Sequence, residues 1–239
     1  MTDQLSNRPL LSSPSAAPPS AAPPSAPPPG PPAPPGPPVP QRVLDDVHTW
    51  LTEYISRPDD RIGRPGAVCP FVAPSLKAGA LQLRMCPTRT EPSPVHVAED
   101  VRRAFDEFDA IDWPTTNSQL WCLLLAFPDL PAHGLRTLDA AHALLKSESV
   151  DRGLMIGQFH DSCTVPAVRN AAFQVSRAPV PVIAVRLMAV HDVLFLHERK
   201  EWFEAYLSRF ADHYRVPERL DPFLYDTYAT ACATHGITP

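Results

Sequence analysis

The sequence predicts a domain of the α+β or α/β class, a single unit with a central mixed β-sheet covered by helices. A disordered, proline-rich tail precedes it. Two observations carry this expectation. Composition breaks near residue 40, and beyond the break strand-like and helix-like apolar patterns alternate along the chain. Residues 1–40 hold sixteen of the thirty-two prolines together with Ser, Ala and Gly, and their only charges are Asp3 and Arg8. A stretch such as "PSAAPPSAAPPSAPPPG" buries nothing and samples extended polyproline conformations. Residues 41–239 are enough for one domain with a substantial core.

The elements follow in order from the apolar spacing. In "RVLDDVHTWLTEYIS", Val43, Val47, Trp50, Leu51, Tyr54 and Ile55 recur every three or four residues, which places them on one face of a helix. "RPDDRIGRPG" then breaks it into a loop. "ALQLRM" alternates Leu81, Leu83 and Met85 with Gln82 and Arg84, the period of a half-buried strand. Val97, Val101, Phe105 and Phe108 mark a second helix. "LWCLLLAF" is a short, continuous apolar run, read as a buried strand that Pro128 ends. "LRTLDAAHALLKSE" returns to helical spacing. A strand at "GLMIGQF", a short helix around "VPAVRNAAF" and a strand at "PVIAVRLMAV" come next. The last strong pattern, "HERKEWFEAYLSRFADHY", sets Trp202, Tyr206 and Phe210 at steps of four on an amphipathic helix. Strand order and direction stay open at this level.

Composition excludes several functions. The formal net charge of −5 falls entirely beyond the tail, so nothing general attracts nucleic acid. No run reaches the roughly 18 apolar residues that span a bilayer, and no basic segment followed by an apolar one opens the chain, so a cytoplasmic protein with no membrane association is expected. Five cysteines without a Cys-x-x-Cys pair argue against a disulfide framework and a zinc knuckle. Phosphate loop, dinucleotide glycine fingerprint, His-Glu-x-x-His helix and Gly-x-Ser-x-Gly elbow are all missing. The tail offers a polyproline ligand to a protein partner or a plain spacer.

One segment stands out. "GLMIGQFHDSC", residues 153–163, runs apolar residues into His160, Asp161 and Cys163. A histidine at a strand end is placed to ligate a metal or to serve as an ordinary core residue. If it holds haem iron, the flanking residues supply an apolar slot from Phe159, Val165, Phe173, Ile183, Val185 and Met188. Arg169, Arg177 and Arg186 are then available to pair with carboxylates. His191 is a candidate for acid–base help, beside Arg186, in catalysis. Cys69 and Cys163 are alternative nucleophiles if an imidazole or helix N-terminus activates them.

Two stretches, "RPGAVCPFVAPSLKAGALQLRM" and "GLMIGQFHDSCTVPAVRNAAFQVSRAPVPVIAVRLMAVHDVLFL", resemble the bacterial group known as domain of unknown function 6875, with its Cys-Pro-Phe and Gly-x-Phe-His segments. More remotely, the same order is similar to the YqcI/YcgG-like family, which includes the haem enzyme of D-cycloserine biosynthesis. That resemblance implies a haem cofactor with His160 as axial ligand, and an enzyme of bacterial secondary metabolism that oxidises or rearranges a small nitrogen-containing substrate. Asp161 stands where the remote family often has proline, and Arg169 alone matches its arginine-bearing turn. Two other readings remain open: a non-catalytic accessory protein whose tail recruits a partner, and a cysteine-dependent transferase or hydrolase.

Overall fold

Helix α1, Gln41–Trp50, forms because Val43, Val47 and Trp50 share one buried face. It runs on into a π-helical turn, Leu51–Ile55, in which the Ser56 N–H reaches back to the Leu51 carbonyl. The computed structural model describes residues 39–87, 89 and 91–238, so the expected tail lies outside the described residues apart from Val39 and Pro40. After the helix come a 3-10 turn at Asp60–Ile62, a short helix α2 at Val72–Lys77 and strand β1 at Leu81–Met85. Helix α3, Pro94–Ala110, begins on Ser93, whose hydroxyl accepts from the His96 N–H, with proline at its first position.

Strand β2 is Cys122–Ala126, helix α4 is Leu135–Asp151 and strand β3 is Leu154–Phe159. A small hairpin, β4 (Pro166–Ala167) and β5 (Asn170–Gln174), precedes strand β6, Val182–Leu187. Three helices follow: α5 (Val193–Leu196), α6 (Lys200–Phe210) and α7 (Pro222–His235).

The four long strands form one mixed sheet in the order β1-β2-β6-β3, parallel between β1 and β2 and antiparallel elsewhere. Alternation along each strand divides the side chains between two faces. Leu123 and Leu125, Ile183 and Val185, and Leu154 and Ile156 pack under α3 and α4, around Phe105, Phe108 and Leu138. The opposite face carries Leu124, Ala184 and Phe159 and packs toward α1. Because Leu124 pairs with Ala184, and Ala184 with Gly157, a file of small and apolar side chains crosses that face. A separate cluster of Phe203, Tyr206 and Tyr228 ties α5–α7 to Met155 and Met188.

The α/β class and the mixed sheet are as expected. The helix expected at "VPAVRNAAF" is instead the β4–β5 hairpin. Asn170 closes it by accepting the Ala172 N–H on its side chain, a local turn that competes with a helix, and Pro166 removes one helical donor. The last amphipathic stretch is helical only through Phe210 and then tightens into a 3-10 segment, Ala211–Arg215. Helix α7 was unexpected; Asp221 caps it, Pro222 is its first residue and Gly236 ends it at φ 66.

The hairpin lies against the loop after α1. Gly63 has φ 78, and a Cβ there would come within 2.8 Å of the Arg169 carbonyl oxygen, while Asn170 donates to the Arg61 carbonyl at 2.8 Å. Gly63→Ala is therefore expected to lower stability by roughly 1–3 kcal/mol in urea unfolding; a change within a few tenths would show that the contact yields without cost.

Candidate functional site

Between the α1-facing side of the sheet and α1 lies a cavity of about 530 Å³, within the usual range of about 300–1,000 Å³ for small-molecule sites. Leu124, Ala184, Met155 and Gly157 form its floor, and Trp50, Leu51 and Ile55 its roof. The sequence makes this space in two ways. Ala184 and Gly157 are side by side in the register, so two neighbouring strands contribute almost no side-chain volume. The π-helical turn of α1 carries Leu51 and Ile55 inward together.

One end is polar. β3 is an edge strand, and α4 packs beside it. His142 and Lys146, one helical turn apart on α4, reach past that edge to the cavity wall. The His142 Nε2 bonds the Ile156 carbonyl at 3.2 Å, meeting a backbone acceptor that an edge strand would otherwise leave unpaired. Burial, helped by the nearby Lys146 charge, pushes the imidazole down to about 4, so it is neutral at ordinary pH.

Lys146 is only 8 % exposed. Its Nζ lies 3.9 Å from the Met155 sulfur and 5.8 Å from the centre of the Trp202 ring, and among the described residues no carboxylate stands within ion-pair distance. Burial lowers it to about 8; Asp192 opposes the shift and Arg186 adds to it. Lysines are almost never this buried unless paired.

The other cations of the wall divide into two kinds. Arg186 holds Asp192 with both arms, at 2.7 and 2.6 Å, and Asp192 is fully buried and also accepts the Ala189 N–H. Arg169 pairs with Asp221 at 2.6 Å. Among the described residues Arg64 donates to the carbonyls of Pro65 and Val68 alone. The wall thus carries two compensated arginines and two cations, Lys146 and Arg64, that meet no carboxylate among the described residues. A chain of net charge −5 surrounds an apolar cavity with excess positive charge.

Several residues singled out from the sequence are brought to this cavity. Phe159 lines it, edge-on to Trp50 at 5.3 Å. Arg169, Arg186, Val165 and Cys69 line it too. So does His191, stacked on Phe71 at 4.8 Å and lowered chiefly by burial. The remainder are elsewhere. Ile183 and Val185 face α3 and α4, one residue out of phase with the cavity floor. Met188 belongs to the C-terminal cluster. Phe173 lies under the Arg61 guanidinium, 4.4 Å away, and is not part of the cavity wall. Arg177 bonds Gln174 on the hairpin.

His160 lies apart from these residues. Its ring is 3 % exposed, outside the cavity lining, with Nε2 3.1 Å from the Asp139 carboxylate and Nδ1 3.2 Å from the Ser162 hydroxyl. Both nitrogens have polar partners, and the ring lies outside the lining of this cavity. Cys163 is buried in the same turn; desolvation raises its thiol, which disfavours a free nucleophilic thiolate. Together Asp139, His160 and Cys163 make a group whose ligand atoms all lie within 4.8 Å of one another.

Lys146, His142, Arg64 and Asp139 were not identified from the sequence. The available signal was a lysine continuing the Leu138–His142 stripe of α4 at steps of four, where a helix normally carries an apolar residue.

Residues 44–221 match the family model described as Domain of unknown function (DUF6875), and the chain belongs to that family. No curated protein and no solved structure matches it. Among the described residues no helix is long and apolar enough to cross a membrane.

The Lys146 environment has a consequence for stability. Its amine titrates near 8 when folded and near 10.5 when unfolded, so between those values the unfolded chain binds more protons. Stability contributed at this site is lowest below pH 8 and rises with pH across the window. Relative to Lys146→Met, the wild type is expected to gain roughly 2–3 kcal/mol between pH 7 and pH 10. Parallel stability–pH curves for the two proteins would rule out a desolvated amine.

Proposed function

We propose that this member of the DUF6875 family binds a small, mostly apolar molecule carrying one anionic group, a carboxylate above all, in the cavity between α1 and the sheet. The single observation that carries this reading is Lys146: an amine buried at the wall of an apolar cavity, with no carboxylate among the described residues beside it. A buried cation left alone is costly, and its natural partner is a charge that arrives with a ligand. The apolar floor and roof take the body of the molecule, and Lys146 fixes its orientation. Arg64 is a second donor for the same acid. Arg186 has a different part, because Asp192 already occupies both of its arms; it stiffens the wall. His142 and His191, both shifted toward the neutral form, add hydrogen-bonding groups without adding charge.

A second reading concerns chemistry at the same amine. With a value near 8, a useful fraction of Lys146 is unprotonated close to neutral pH, the state in which lysine attacks an aldehyde or ketone. The nitrogen would form a bond to the carbonyl carbon, and loss of water would leave an imine. Reduction with borohydride in the presence of an apolar aldehyde, followed by mass spectrometry, would fix that adduct on Lys146.

The binding reading is tested by titration calorimetry with octanoate and with octan-1-ol, which share a chain and differ in charge. Octanoate is expected to bind the wild type at least about tenfold more tightly than the alcohol, in keeping with roughly 1.5–3 kcal/mol for a hydrogen bond to a charged group. Lys146→Met should abolish the difference while leaving the thermal midpoint unchanged or higher. Equal affinities in the wild type, or an octanoate preference that survives in Lys146→Met, would refute it.

A further inference from the structure

The turn after β3 holds donor groups that the cavity does not use. We propose that Asp139, His160 and Cys163 form a second site, outside the cavity wall, for a divalent transition-metal ion of the zinc class. The donors are one carboxylate oxygen, one imidazole nitrogen and one thiol sulfur, all within 4.8 Å of each other. Such a nitrogen, sulfur and oxygen set suits zinc far better than the all-oxygen shells that calcium and magnesium prefer.

Four features of the turn fit that use. First, the donors come from two distant segments, α4 and residues 160–163, held in place by independent means. The His160 N–H bonds the Ser176 carbonyl, and its own carbonyl accepts from both Cys163 and Ala178. Second, the ring nitrogen that faces away from Asp139 meets the Ser162 hydroxyl at 3.2 Å. A ligating histidine needs such a partner to fix its tautomer and orientation. Third, among the described residues no lysine or arginine pairs with Asp139, whose one ionisable partner is His160, so its carboxylate has no fixed cation. Fourth, Asp139 is 42 % exposed while His160 and Cys163 are buried, which gives an ion an entry path from one side.

A histidine–carboxylate pair alone would simply tie α4 to the turn. The thiol distinguishes the two uses. Among the described residues its polar contacts are two backbone groups, the Gln158 carbonyl at 3.9 Å and the Val165 N–H, weak sulfur hydrogen bonds that do not account for its place beside His160 and Asp139. An ion bound by all three groups would replace the 3.1 Å hydrogen bond between His160 and Asp139 with two coordinate bonds. The Cys163 proton would pass to solvent, and the proton that Nε2 donates to Asp139 would be replaced by one on Nδ1, where the Ser162 hydroxyl accepts it. Bond lengths of about 2.0–2.3 Å require a shift of about an ångström along the wider edges, within the reach of side-chain rotation. Three protein donors leave a fourth position for water or an anion on the Asp139 side.

The test uses the full chain, reduced and stripped of metal with a chelator, then titrated with Co²⁺ alone. Tetrahedral visible bands and a thiolate-to-cobalt charge-transfer band are expected to saturate at one ion per chain, and added Zn²⁺ should bleach them. Cys163→Ser should remove the charge-transfer band, whereas Cys69→Ser and Cys122→Ser keep it. Asp139→Asn, at a half-exposed position that preserves shape, guards against misfolding and should weaken Co²⁺ binding by at least about tenfold. No saturable one-to-one spectrum in the wild type would overturn the proposal, and so would a spectrum that Cys163→Ser leaves intact.

Discussion

A lysine buried with no carboxylate beside it among the described residues is the constraint around which this fold is arranged. Lys146 sits on α4, whose main work is to cover the opposite face of the sheet with Leu138 and Leu145. It reaches the cavity only because β3 is the last strand, so a side chain from the covering helix can pass around its edge. His142 follows the same route and meets the exposed carbonyl of Ile156 on the way. The edge strand, normally an invitation to pairing with another chain, is covered on this side and turned into the polar end of a binding site. The remaining polar groups conform to the same arrangement. Asp192, which could have neutralised the amine, is instead clasped by Arg186 and by the Ala189 N–H.

Much of the fold was legible in the sequence because its signals are local. The period of two at Leu81–Met85, the apolar run at residues 122–127 and the spacing of Val97, Val101, Phe105 and Phe108 each specify an element regardless of neighbours. The hairpin at 166–174 was misread as a helix, since a few apolar residues around Val168 fit either period and the deciding contact, the Asn170 turn, is a detail of side-chain hydrogen bonding. Helix α7 escaped because its apolar residues are spread around the helix and give no stripe; the capping signals Asp221, Pro222 and Gly236 were the better guide.

The site was less legible, and for a physical reason. A cavity arises from what is missing, here the side chains at Gly157 and Ala184, and from a register that places those gaps side by side. Sequence spacing drew attention to His160 because an apolar strand ends on it. Strand ends lie at the margin of the core, however, and this ring turns toward α4 and finds Asp139. Phe159, one residue earlier, points to the opposite side and enters the cavity wall. Alternation along a strand gives that difference directly once the facing of a single residue is known. The same one-residue phase separates Ala184 and Arg186, which face the cavity, from Ile183 and Val185, which do not.

Two sites of different chemistry therefore flank one strand: an apolar cavity with an unneutralised amine, and a compact turn with nitrogen, oxygen and sulfur donors. The cavity's chemistry depends most on the amine, whose titration can be followed directly. With lysine side chains isotopically labelled and the Lys146 resonance assigned by its loss in Lys146→Met, the Cε shift against pH should give a midpoint near 8, moving upward when octanoate is bound. A midpoint in the ordinary lysine range of about 10.4, indifferent to octanoate, would contradict the account.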